Sequence, residues 1–164
     1  MNKGGTSLAL LSLCCIGLAA IAQQQHDQLS ASEREHILDG QFEVIRMTEG
    51  IPAKVKREFS ILTREPLFAL ADPGQKFQVA DVVIDRSLPR RRLVFAGRAD
   101  EKWFIHYERG GRGHGYYVVV FKIDSQGEAL FLWGGSGGTG AKNLEQLRKM
   151  VAAGQFSDAE NYYW

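Results

Sequence analysis

Four strand-like runs follow one another between residues 91 and 133, and nothing of helix length separates them. "RRLVFAG", "KWFIHYE", "GYYVVVFKI" and "EALFLW" are rich in the β-branched and aromatic residues that suit a pleated surface. Their separators, "RADE", "RGGRGH" and "DSQG", are short and turn-like. Parallel strands need a crossover of about a dozen residues or more, so a doubly wound parallel sheet is excluded. Sequential antiparallel hairpins remain.

The flanks supply helices. Ser30 and Glu33 have capping-box spacing, and Gly40 is placed to end a short helix at Asp39. "QFEVIRMT" at 41–48 fits a strand or a helix equally well. Pro52 suits the first turn of a helix reaching about Leu62, with Val55, Phe59 and Leu62 on one stripe. From Pro66 the apolar period switches to two, and "LFAL" and "FQVADVVI" read as strand-like runs parted by the turn "ADPG". Leu144, Leu147, Met150 and Val151 mark a last helix closed by Gly154. The expected fold is α+β: an antiparallel sheet of about five or six strands, mostly a meander, with helices before it and one C-terminal helix packing on it. The central hairpin is apolar on both faces, so both need a cover. Helices are expected on one, and a ligand, a partner subunit or sheet curvature on the other.

Residues 1–22 have the pattern of a cleaved export signal. Lys3 gives a positive start, Leu8 to Ala22 is almost unbroken apolar sequence, and "AIA" at 20–22 offers the small residues a signal peptidase reads. The apolar run falls short of the roughly 20 residues that span a bilayer, so no stable membrane insertion is expected. Cys14 and Cys15 lie inside it, preceded by Leu13 and Cys14 rather than by a small residue, which argues against a lipid-anchored start. The mature chain is then 23–164, a single globular domain with a loose leader at 23–29, localised to a bacterial periplasm or outside the cell. It would hold no disulfide and no Cys-ligated metal. With Lys3 gone, 19 basic residues balance 19 acidic ones, so no net field draws the protein to nucleic acid.

"GGSGGTG" at 134–140 invites three readings. Gly135, Gly137 and Gly140 spell G-x-G-x-x-G, but "DAENYYW" is too short and polar for the second parallel strand of a dinucleotide fold. Ala141 stands where a phosphate-binding loop needs lysine. Ser136 sits in G-x-S-x-G, yet no histidine follows it in the chain. The run is read instead as a flexible joint that docks the last helix, and no cofactor is expected.

"FIHYERGGRGHGYY" at 104–117 gathers the chemistry. His106 and Glu108 share a strand face. A turn centred on "GGRG" sets Arg109 opposite His114 and His106 opposite Tyr117. Two imidazoles and a carboxylate are the groups that ligate zinc or form an acid–base pair, though the usual third or fourth ligand is missing. The candidate binding residues are therefore His106, Glu108, Arg109, Arg112, His114 and Tyr117, with no metal or catalytic assignment. Arg86, Arg90, Arg91 and Arg92 are read as charges guarding a strand end. Phe156, Tyr162, Tyr163 and Trp164 are read as a tail pinned into the core or across the sheet.

These readings converge on an exported binding or inhibitory module whose partner is a protein or small ligand on one sheet face. The alternatives are a small hydrolase or metal-dependent enzyme using His106, Glu108 and His114, and a homo-oligomeric structural subunit completed by a copy of itself.

Overall fold

The structure is a computed structural model that describes residues 29–83, 85–111 and 113–158. The expected export signal, the leader up to residue 28, Arg112, and the terminal Tyr162, Tyr163 and Trp164 lie outside those residues. The chain forms α1 (Ala31–His36), β1 (Glu43–Ile45), α2 (Ala53–Leu62), β2 (Arg91–Ala99), β3 (Lys102–Arg109), β4 (Gly115–Ile123), β5 (Ala129–Gly137), α3 (Leu144–Ala152) and β6 (Ser157–Asp158). Among the described residues the six strands lie side by side in chain order, every neighbouring pair antiparallel. The fold is α+β, as the sequence predicts.

Local chemistry sets the boundaries. Ser30 caps α1 through a complete capping box: Glu33 returns its carboxylate to the Ser30 N–H at 2.8 Å. That helix stops at His36 rather than Asp39, because the Asp39 N–H already closes a turn on the His36 carbonyl. Asp100 takes a left-handed φ of 49° in the tight β2–β3 turn, a conformation Asp tolerates better than bulkier residues. In the β4–β5 turn one carboxylate oxygen of Asp124 accepts from the N–H groups of Gln126 and Glu128. Asn143 caps α3 by accepting from the Gln146 N–H.

Both faces of the sheet are covered by the chain itself. On one, Val55 and Phe59 of α2 pack with Leu93, Ile105, Tyr107, Val119 and Phe121. On the other, Leu147, Met150 and Val151 of α3 join Leu38, Phe104, Val118, Val120, Trp133 and Phe156. This arrangement replaces the expectation that helices cover one face and a ligand, a partner subunit or sheet curvature the other. A β-bulge between Leu93 and Phe95 makes the double cover work: it sends Leu93 to the α2 side and Phe95 to the α3 side.

The strand count is met, but not everywhere by the expected residues. "QFEVIRMT" contributes β1, and the last strand, β6, follows α3. The runs at 67–70 and 77–84 form no strand among their described residues, and an isolated bridge from Ala71 to Arg92 lies just past the first run. Along the edge of β2 away from β3, β1 pairs with Ala96 to Arg98. Beside Arg91 to Leu93, Ala71 alone among the described residues makes ladder bonds there, giving its N–H to the Arg91 carbonyl and accepting from the Leu93 N–H. The segment instead crosses the end of the sheet, leaving Leu67, Val79, Val82 and Val83 in solvent. No helix among the described residues is long and apolar enough to cross a membrane.

Candidate functional site at the end of the central hairpin

The β3–β4 register differs by one residue from the expected one. Arg109 lies opposite Gly115, His106 opposite Val118, and Tyr107 opposite Tyr117. The loop therefore holds five residues, 110–114, rather than four. Because side chains alternate across a strand, the extra residue turns Tyr117 to the α2 face, where its ring stacks on Tyr107 at 5.2 Å. The Tyr117 ring is thus on the opposite side of the sheet from the His106 ring.

His106 is sealed inside the α3 face, 0 % exposed, with Phe95 and Phe156 packed edge-on to its ring. Its Nε2 lies 3.0 Å from the Ala141 N–H and so accepts that proton. Its Nδ1 then carries the ring proton and donates to the Tyr117 carbonyl at 2.8 Å. Both nitrogens are committed to backbone, and the ring is neutral. Burial drives its pKa down to about 4, only partly opposed by the Tyr117 hydrogen bond. His106 is a tie between the sheet and the segment entering α3, not a base facing a ligand.

Glu108 and His114 do meet. His114 Nε2–H donates to one Glu108 oxygen at 2.7 Å, and Arg92 holds the other at 2.6 Å. Arg92 also stacks over Phe77, 4.5 Å from the ring centre, pinning the crossing segment to the sheet. Burial pushes the Glu108 carboxyl upward. The hydrogen bonds and charges of His114 and Arg92 outweigh it and leave the pKa below the ordinary value. With His114 half in solvent (47 %), this is a clamped carboxylate at the rim. Among the described residues no three His, Cys, Asp or Glu side chains gather as a metal would need.

Arg109 faces the other way, into a cleft of about 220 Å³ between the crossing segment and the hairpin loop. Gln78, Ala80, Asp81, Val83, Arg90, Gly110 and Gly111 complete its wall. The segment is held by hydrogen bonds from Gln78 N to Pro89 O at 2.8 Å and from Gly111 N to Val79 O at 2.8 Å. Gly110 is obligatory here: a β-carbon on it would sit 2.0 Å from the Gln78 carbonyl oxygen. Arg90, Asp81 and Gln78 escape a sequence search for this site. A polar Gln and Asp inside an otherwise apolar run were the available signal.

Two of the arginines read as charges guarding a strand end are tied into ion pairs: Arg91, 1 % exposed, with Glu65 at 2.9 Å, and Arg92 with Glu108. The glycine run is not a joint along its whole length. Gly134, Gly135, Ser136 and Gly137 belong to β5 and pair with β4. A β-carbon on Gly135 would meet the Trp133 ring at 2.7 Å, so the glycine makes room for an aromatic. The strands flanking α3 run antiparallel, where a dinucleotide fold has them parallel. Ser136 lies within a paired strand rather than on a strand-to-helix elbow. No family model matches the chain, nor does any curated protein or solved structure.

Proposed function

We propose that the protein is an exported binding or inhibitory module that meets its partner with the end of the sheet, where the β3–β4 loop and residues 77–83 form a rim. One observation carries this reading. The chain covers both sheet faces with its own helices, while at this end Val79, Val82 and Val83 stay exposed beside the Glu108–His114 clamp and the arginine cleft. Rigid hairpins presenting mixed polar and apolar groups are common contact surfaces. The enzyme reading has less support, since His106 has no nitrogen left for a substrate.

Two tests address the two halves. Mass spectrometry of the exported protein should show a mature N-terminus at Gln23 without lipid; a diacylated Cys14 or Cys15 would contradict the export reading. Recovery of a bound partner should be lost on Val83→Asp and kept on Leu130→Asp, at the opposite end of the sheet. The reverse pattern would transfer the contact to the outer strand.

A second reading has its own observation. Among the described residues β5 is paired on its outer side only at Gly135 and Ser136, and Leu130 and Leu132 are exposed farther along it. Such an edge can pair with a copy of itself. Sedimentation across a concentration series would show dimers, abolished by Leu130→Lys, if the protein is a self-associating subunit.

A further inference from the structure

We propose that the cleft lined by Arg90 and Arg109 is a binding site for a carboxylate, borne by a small molecule or by the end of a peptide. The inference rests on reading this rim as the contact surface and names the chemistry it selects. Among the described residues the Arg109 Nε–H is buried without a hydrogen-bond partner, and neither Arg90 nor Arg109 forms an ion pair. The neighbouring β2 arginines do pair, Arg91 with Glu65 and Arg92 with Glu108. A buried donor with no acceptor is costly, and a guanidinium offers a planar fork that matches a carboxylate.

The same walls discriminate between anions. Phosphate sites generally use free backbone N–H groups, but here Gly110 N–H is given to the Arg90 carbonyl and Gly111 N–H to the Val79 carbonyl. Asp81 lines the cleft with the two arginines and leaves it a single net positive charge, which suits a monoanion better than a phosphate dianion. Ala80 and Val83 give an apolar wall for a short side group. At about 220 Å³ the cleft is below the usual range for drug-sized ligands, so it takes a small acid or an end group.

The test is an NMR titration of the purified protein with isobutyrate, inorganic phosphate, and acetyl-Ala-Ala as free acid and as amide. The expected result is a saturable shift of the Arg109 Nε–H and Gly111 N–H signals by the acids, with Kd on the order of 1 mM for so small a ligand. The amide should cause none, and phosphate should bind more weakly. Arg109→Gln and Arg90→Gln should each weaken binding about tenfold. A peptide acid much tighter than isobutyrate identifies a chain end as the source; equal affinity identifies a free small acid. Arg90 is exposed, so its variant keeps the test valid if Arg109→Gln fails to fold. Flat titrations, phosphate binding as tightly as carboxylate, or unchanged affinity in Arg90→Gln would overturn the assignment. A flat titration while Val83→Asp still abolishes partner recovery sinks the carboxylate site alone. A saturable titration with recovery unaffected by Val83→Asp sinks the partner surface alone.

Discussion

His106 shows how one residue can carry chemistry in the sequence and none at the surface. Its pKa is displaced downward to about 4, so between pH 6.5 and 4 the unfolded chain binds a proton that the folded chain refuses. The resulting contribution is fully present above the unfolded value and is lost as pH falls toward 4, where the loss ends. It amounts to about 3 kcal/mol over that window. His106→Leu, which strands the buried Ala141 N–H, should cost about 2–4 kcal/mol at pH 7. Urea unfolding of both proteins at pH 7 and pH 4 should show the gap between them narrowing by that window's contribution; a gap independent of pH would contradict the neutral, buried ring. Glycines divide the same way. Gly110→Ala should cost about 1–3 kcal/mol, because its β-carbon meets a backbone oxygen that cannot yield. Gly138, with nothing within 4 Å of such a carbon, should accept alanine within about 0.5 kcal/mol. Thermal melts would separate the two.

At the scale of elements, much of the fold was legible because local signals and the final packing agree. The α1 capping box, the stripe Val55–Phe59–Leu62, the four long strands and the Leu144 to Val151 helix all form as their patterns predict. What stayed hidden depends on distant partners. Whether 67–84 becomes a strand turns on how much of it runs alongside β2, and among the described residues only Ala71 does. Whether the Tyr117 ring shares a face with His106 turns on one loop residue that no local pattern counts. The clamp of Glu108 by Arg92 joins side chains from different strands, and the cleft needs 78–83 to lie across the hairpin. The cover supplied by α3 has a direct measure. Leu147, 0 % exposed, should cost about 2–5 kcal/mol on truncation to Ala, seen as a lower denaturant midpoint. Leu130→Lys, at a side chain 50 % exposed, should change stability by no more than about 0.5 kcal/mol. Equal losses would mean that α3 is not the cover of that face.

For the whole molecule, a meander sheet sealed on both faces leaves its ends and outer strands as the places where another molecule can touch it. The two ends differ in kind. Around Leu130 the surface is an apolar stretch of outer strand, whereas the hairpin end combines exposed valines, a clamped carboxylate and a cleft with two arginines. The central claim is that contact occurs at the hairpin end, and site-specific photo-cross-linking in the producing cells tests it most directly. A photoreactive residue at position 83 should give a discrete adduct with a partner, while one at position 130 should give none. Adducts from position 130 alone, above all to a second copy of the chain, would contradict the account.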